Sequence, residues 1–357
     1  MKGAATIDDV ARQAGVAIST VSHVINGTRF VSEETKLAVQ KAIVATGYIP
    51  NSLARSLARS RTNTIGIALS GTSNPYFMEL VYALAAECTT RKWMTLLADT
   101  KEDTDVEEKS VRQLHQHRVD GVILATCGDE NSRSLAYLEQ NRVPTVLVDR
   151  LVSRRFSQVG VENKHAMTQL VEHLYNLGHR RIAMIAGRPH VATTLERVNA
   201  YKRTLHAHGL PVDQAMIHDG SEDAESFDRL LSLKPTAILA GNNRAMIRLM
   251  QYLHAAGLQV PRDIAVVGFD DFEWADYFHP RLTVIAQPIE AIAKRAIALL
   301  AARIEDPEVK PQTLHIKPKL IVRESCGSKS EITIKGAPSF STYKSRVQGK
   351  PTRAPSS

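Results

Sequence analysis

The sequence predicts an all-α helix-turn-helix head followed by a larger α/β body built on parallel sheets. Three observations carry that prediction. Residues 6–47 hold three short helical patterns separated by glycines, short apolar runs alternate with helical patterns from Asn63 onward, and positive charge collects at the two ends of the chain. Residues 1–63 contain eight lysines and arginines against four carboxylates, and residues 328–357 contain six against one, so almost none of the net +8 is left for the middle. That distribution is the footprint of a phosphate-binding head attached to a neutral globular body.

The 357 residues divide into a head of about 60 and a body of about 260 by ordinary domain sizes. A 43% share of hydrophobic residues is enough for buried cores, and no apolar run approaches the roughly 18 residues of a membrane span. The opening residues lack the apolar segment of a secretory leader, and Asp8 and Asp9 follow almost at once. A cytoplasmic location without membrane attachment is therefore expected. Cys88, Cys127 and Cys326 lie far apart with no CxxC spacing, so buried thiols are expected in place of a disulfide framework or a metal site.

In the head, Thr6 is placed to cap a helix over 7–14, with Asp9 three residues on as its capping-box partner. Gly15 breaks that pattern, and a second helix over 18–26 follows after a turn of helix-turn-helix length. A third helix over 33–46 has Ser32 as N-cap, Gly47 as stop and Pro50 beyond. Val10, Ala14, Val16, Val21 and Val24 supply a shared core with Ala38, Val39, Ala42 and Ile43. A plain three-helix bundle would share this spacing. In a DNA reader, the amino end of the second helix enters the major groove, which makes Ile18, Ser19, Thr20 and His23 candidate base or phosphate contacts, supported by Ser22 and Asn26.

The stretch TIDDVARQAGVAISTVSHVINGTRFVSEETKLAVQKAIVATGYIPNSLARSL resembles the DNA-binding head of the LacI/GalR family of bacterial repressors. The second helix is similar to those of purine-type members, including His23 where many relatives have Arg. Histidine cannot make the forked guanine contact of arginine, so a different operator preference is expected. Ala17 stands where the family often has Ser, which removes an N-cap or a phosphate contact. The octapeptide NSLARSLA over 51–58 is too short to hold a helix alone. The resemblance implies that it orders by pairing across a dimer in the minor groove, with Leu57 as the inserted wedge and Asn51, Ala54 and Arg55 beside it. The candidate DNA contacts are thus Thr6, Ala17, Ile18, Ser19, Thr20, Ser22, His23 and Asn26 in the head, and Asn51, Ala54, Arg55 and Leu57 in the hinge.

The body carries apolar runs at 64–70, 94–99, 120–125, 145–149, 181–186, 236–240 and 264–269, each closed by turn or polar residues. This pattern reads as parallel α/β layers. No GxGxxG, GxxxxGK[ST], GxSxG or HExxH is present, so the phosphate cradles and nucleophile motifs of common enzymes are missing and no cofactor or metal is expected. Ligands in open α/β sheets sit beyond the carboxyl ends of strands. The residues following the strands include Ser70, Asn74, Tyr76, Phe77, Arg150 beside Asp149, Arg197, Asn242, Asn243, Asp270, Asp271 and Trp274. Carboxylates, amides and guanidinium groups bond vicinal hydroxyls and aromatic faces cover a sugar ring, which is chemistry for recognition and not turnover.

The resemblance extends over residues 4–325 and implies a two-lobed, periplasmic-binding-protein-like sensor. It divides the chain into a head at 1–50, a hinge at 51–62, an effector-binding and dimerisation body at 63–327 with lobe crossovers near 162, 287 and 318, and a basic tail at 328–357. By the same resemblance Arg197 and Asp270 match positions that regularly touch effector, while Asn243 replaces a frequent Asp. The candidate effector contacts are Ser70, Asn74, Phe77, Arg150, Arg197, Asn242, Asp270 and Trp274. Arg150, Arg197 and Arg188 tilt the cleft towards a sugar acid, against Asp149, Glu196 and Asp270; the cluster His179-Arg180-Arg181 reads as a solvated turn. Together these readings predict a homodimeric repressor of carbohydrate-related genes on a palindromic operator, switched by a sugar or sugar acid. A purine-type corepressor or a ligand-independent DNA-binding protein are the alternatives. The tail contains no leucine, so it lacks the heptads that would join dimers into tetramers.

Overall fold

The computed structural model describes residues 5–48, 61–71, 74–220 and 224–328. The head consists of α1 (Ile7–Ala14), α2 (Ile18–Asn26) and α3 (Glu33–Thr46). The Thr6 backbone N–H donates to the Asp9 carboxylate at 2.9 Å, and the Asp9 N–H returns a bond to the Thr6 hydroxyl at 3.3 Å. This reciprocal box satisfies N–H groups that the first helical turn cannot pair internally. Gly15 (φ 67°) and Gly47 (φ 66°) end α1 and α3 in the left-handed region, where a Cβ would add strain. Val10, Ala11, Val21, Val39 and Ala42 form the buried core, with Ala14, Val16, Val24 and Ile43 packed around it.

The body has two lobes with matching layouts. The first begins with β1 (Thr64–Leu69), α4 (Pro75–Thr90), β2 (Met94–Asp99), α5 (Thr104–Gln116), β3 (Gly121–Leu124), α6 (Arg133–Gln140), β4 (Thr145–Val148) and β5 (Ser157–Val161). The chain passes at Glu162 into the second lobe, made of α7 (Asn163–Asn176), β6 (Ile182–Ile185), α8 (Ala192–Ala207), β7 (Ile217–His218), α9 (Ala224–Ser232), β8 (Ala237–Ala240), α10 (Asn243–Ala255), β9 (Ala265–Phe269) and β10 (Thr283–Ala286). It returns through 287–288 to α11 (Ile289–Glu305) and β11 (Thr313–Ile316), then crosses once more to β12 (Lys319–Ile321). The sheets run β11-β5-β4-β3-β1-β2 and β12-β10-β9-β8-β6-β7. Every pairing is parallel except β10 with β12, which is antiparallel.

Alternation along the strands explains the layers. In β1, Ile65, Ile67 and Leu69 pack with Leu80 and Leu84 of α4 and Ile297 of α11, while Ala68 faces Val111 of α5 and Leu138 of α6. In β6, Ile182 and Met184 face Leu170 of α7 and Tyr201 of α8, whereas Ala183 and Ile185 face Leu230 of α9 and Met246 of α10. Period-2 burial on both faces is what a helix-covered parallel sheet requires. Five strands carry no apolar run that the sequence reading picked out: β5, β7, β10, β11 and β12. Of these, β7, β11 and β12 are two to four residues long and only part-buried, so pairing with existing neighbours, not local hydrophobicity, makes them strands; β5 and β10 are buried but short, and β5 is interrupted by Gln158 and Gly160.

Among the described residues no helix is long and apolar enough to cross a membrane. The three cysteines are free and buried. Burial pushes the Cys88 and Cys127 thiols up to about 11. Burial acts the same way on Cys326, yet contacts at 3.2 Å with His173, Ser328 and Thr283 outweigh it and draw that thiol down to about 6.

Candidate DNA-reading surface and effector cleft

On the head, α2 presents Ile18 and Ser19 to solvent and leaves Thr20, Ser22, His23 and Asn26 half-buried. Ala17 occupies the N-cap without a side-chain bond. His23 Nδ1 lies 2.8 Å from the Thr28 hydroxyl, which orients the ring and directs Nε2 away from that contact. Asn26 Nδ2 donates to the Ser22 hydroxyl at 3.2 Å, so these two residues brace the helix surface. Thr6 has its hydroxyl committed to Asp9 at 2.8 Å; its place in the fold is the start of α1. Asn51, Ala54, Arg55 and Leu57, and the tail beyond 328, lie outside the described residues.

Between the lobes a cavity of about 180 Å³ opens where the carboxyl ends of both sheets meet. Its wall includes Ser70, Asn74, Phe77, Arg150, Arg197, Asn242 and Asp270, together with Tyr76, Glu102, Asp149, Arg188, Thr194 and Gln287. Seven of the eight residues singled out as effector contacts thus converge. Trp274 does not: it sits in the short 3-10 turn Glu273–Asp276, is 60% exposed, and meets the Phe272 ring edge-on at 6.4 Å. A position counted from the strand end misplaces it because Phe272, not Trp274, is the aromatic side chain drawn into the lobe core. Glu196 is likewise absent from the cavity wall, and accepts a bond from Asn163 Nδ2 at 2.9 Å.

Several wall residues have part of their polarity committed to the scaffold. Asn74 and Asn242 cap α4 and α10 by accepting the backbone N–H groups of Tyr76 at 3.0 Å and Ala245 at 2.8 Å. The Ser70 hydroxyl joins a buried set with Thr100 and Cys127, each at 3.0 Å. Arg197 is held by Asn163 Oδ1 at 2.9 Å and by the Gly241 carbonyl at 2.7 Å, with its guanidinium carbon 3.5 Å from the centre of the Phe269 ring. Gly241 must be glycine there, since a Cβ would stand 2.2 Å from the Ala186 carbonyl oxygen.

Asp149 and Asp270 follow β4 and β9 in left-handed backbone conformations, φ 66° and 72°. Burial raises both carboxyls above the ordinary 3.8; Arg150 and Arg197 oppose it at Asp149, and Arg197 and a 2.6 Å bond from Gln287 Nε2 oppose it at Asp270. The buried Tyr76 hydroxyl stands near both, and burial with these negative neighbours pushes it well above its usual value. Asn243 is fully buried, and neither polar atom of its side chain has a hydrogen bond. Its backbone N–H instead serves Asp270. The cluster His179-Arg180-Arg181 holds the turn before β6: His179 meets Thr236 at 3.0 Å, Arg180 stacks 3.8 Å over Tyr175, and Arg181 donates to the Lys234 carbonyl at 3.1 Å.

The wall also contains polar residues outside the sequence-predicted set, among them Glu102, Thr194, Arg244, Arg248 and Gln287. Glu102 lies three residues past the strand 94–99, and Gln287 follows the short β10, outside the seven apolar runs read from the sequence.

A head of three helices and a two-lobed body with a cleft can be compared with known proteins. Residues 6–51 match the family described as bacterial regulatory proteins, lacI family, and residues 171–326 match the periplasmic binding protein-like domain. The ribose operon repressor of Escherichia coli is 37% identical over 329 residues, covering 90% of this chain and 99% of that protein. The chain belongs to the lacI family. As a lacI-family member it is a DNA-binding transcriptional repressor, with a helix-turn-helix head and a periplasmic-binding-protein-like core. The HTH-type transcriptional repressor PurR of Aliivibrio salmonicida is 33% identical over 329 residues, covering 90% of this chain and 98% of that one. Among solved structures, the lac repressor dimer bound to operator and the anti-inducer ONPF superposes with a TM-score of 0.79 at 26% identity, covering 91% of this chain and 99% of that one. These lacI-family relatives are transcriptional repressors, not enzymes.

Proposed function

We propose that this repressor controls carbohydrate-related genes, acting as a homodimer on a palindromic operator with a sugar or sugar acid bound between its lobes. The observation that carries the effector reading is the pair of buried carboxylates, Asp149 and Asp270, which share the cavity wall and the charge of Arg197. Two acceptors and a planar donor suit vicinal hydroxyls, and the aromatic rings of Tyr76 and Phe77, 5.2 Å apart, offer an apolar surface for a ring face. The likeness to a ribose operon repressor supports the same class. A thermal-shift screen of sugars, sugar acids and purines, with hits carried into operator binding at fixed salt, tests it. A response confined to purines, or to nothing in the screen, overturns the sugar reading. The sign of the change in operator affinity separates inducer from corepressor.

On DNA, α2 enters the major groove with Ile18, Ser19, Thr20 and His23 towards the base edges, and the hinge residues Asn51, Ala54, Arg55 and Leu57 enter the adjoining minor groove. His23, held by Thr28, offers one hydrogen bond where an arginine would offer a fork. Dimerisation is supported by the edge strand β2 and the outer side of α4, where Met94 is 69% and Tyr82 80% exposed, with Met78 and Leu97 beside them. An effector switches such a dimer only by binding two lobe arrangements unequally.

A further inference from the structure

Glu102 stands on a turn where two successive non-glycine residues, Lys101 (φ 53°) and Glu102 (φ 57°), are left-handed. Such backbone persists only where the surroundings over-determine it. Asp99 holds the turn by accepting the Lys101 N–H at 2.9 Å, and the Asp103 N–H closes it on the Thr100 carbonyl at 2.9 Å. The result aims the Glu102 carboxylate into the cleft. One oxygen accepts from Arg150 at 2.6 Å, and the other faces Arg188 of the opposite lobe at 3.9 Å. Arg150 is buried; it also donates to the Thr126 carbonyl at 2.9 Å, while its Nε has no hydrogen bond and an Asp149 oxygen stands 3.7 Å away. One arginine from each lobe thus forms a clamp, and the protein's own carboxylate fills it.

We infer that Glu102 is an internal stand-in for an anionic group on the effector, and that a sugar bearing an oxyanion displaces it from Arg150 and Arg188. The inference rests on the sugar reading for the ring and adds the charge. A buried guanidinium cannot be stripped of its counter-ion cheaply, so exchange of one anion for another is the favourable route, and a neutral sugar leaves Glu102 in place. Glu102 is 21% exposed and Arg188 53% exposed, so the released carboxylate and the outer arm of the clamp both reach water. When the oxyanion takes over, the bridge between lobes belongs to the ligand and not to the β2–α5 turn. That is the unequal binding of two lobe arrangements that an effector needs. Carboxylate and phosphate ester share this chemistry.

The test uses the full chain as wild type, Glu102→Gln, Glu102→Asp and Glu102→Gln/Arg188→Gln at constant ionic strength, by thermal shift and calorimetry. The probes are D-glucose, D-gluconate, D-glucose 6-phosphate and inorganic phosphate. Glu102→Gln is expected to bind an anionic probe about tenfold more tightly than wild type, with glucose unchanged within about twofold. Glu102→Asp, which keeps the charge, stays near wild type, and adding Arg188→Gln removes the gain. Inorganic phosphate raises the Tm of Glu102→Gln more than that of wild type, which reads the clamp even where a ring does not fit. Equal phosphate shifts in the two proteins overturn the inference, as does a gain that is the same for glucose and gluconate or that survives Arg188→Gln. Failure of the sugar reading looks different: no sugar, neutral or acidic, alters operator binding, while the phosphate difference between wild type and Glu102→Gln persists.

Discussion

The two lobes repeat one strand order, yet they treat the same position differently. Asp149 ends β4 and Asp270 ends β9, equivalent strands of the two sheets, and both adopt a left-handed backbone. In the first lobe the next residue is Arg150, which is tied to Glu102 and to the Thr126 carbonyl. In the second it is Asp271, which turns away to a bidentate contact with Arg323 at 3.0 Å, while Asp270 itself is bonded by Gln287 at the crossover between lobes. Fold repetition delivers two carboxylates to one cavity; side-chain partners give one a cationic neighbour and couple the other to the crossing strand. Arg197, from the second lobe, serves both.

Arg197 is the shared dependency of that division, and its loss has the largest effect. Arg197→Ala removes the bonds to Asn163 and Gly241 and leaves two buried carboxylates without their common cation, at an expected cost of about 3–5 kcal/mol. Urea unfolding measures it, and a loss under about 1 kcal/mol would show that the lobes do not depend on this residue. Glu107 braces the first lobe alone: it is fully buried and accepts bonds from the Thr126 hydroxyl, at 2.9 Å, and the Cys127 N–H. Glu107→Ala should cost about 2–3 kcal/mol and loosen effector binding through Arg150, whose carbonyl acceptor is Thr126. Unchanged calorimetric affinity in that variant would separate the brace from the clamp.

The carboxylate pair makes a pH prediction whose sign follows from burial. Both groups are raised above 3.8, so the folded chain retains protons that the unfolded chain releases. Their contribution to stability is complete below the ordinary value and is lost as pH rises through the raised values. Asp149→Asn/Asp270→Asn removes this slope, so the variant should gain on wild type as pH rises from about 4 towards 7; parallel denaturation curves at each pH would contradict it. The single variants sharpen the contrast, because Asp270→Asn should also disturb the bond from Gln287 and thereby operator coupling, whereas Asp149→Asn should act on effector affinity. Smallest is Ala17→Ser, which restores a side-chain cap to α2 and should stabilise the head by about 1 kcal/mol while leaving the response of both lobes unchanged.

The head was legible because its signals are local. Thr6 with Asp9, Gly15, Ser32 and Gly47 act within a turn of the helix ends they specify, and each helix gives the core a buried residue: Val10 from α1, Val21 from α2, and Val39 and Ala42, three apart, from α3. The apolar runs of β1, β3, β4, β6, β8 and β9 were legible for a related reason: each is buried on both faces. Less of the cleft could be read. Asn74 and Asn242 stand where strand ends suggest, but capping commits their carbonyls, and Trp274 falls outside because its neighbour Phe272 fills the core.

By itself, then, the sequence determined a three-helix reading head and a parallel α/β body, since periodicity, caps and apolar runs need only near neighbours to act. Tertiary structure alone decided that β10, β11 and β12 complete two different sheets, that Asp149 and Asp270 share one arginine, and that Glu102 fills a clamp drawn from both lobes. Those groups lie tens of residues apart in the chain, and what joins them is the meeting of strand ends across a cleft, which no short stretch of sequence encodes.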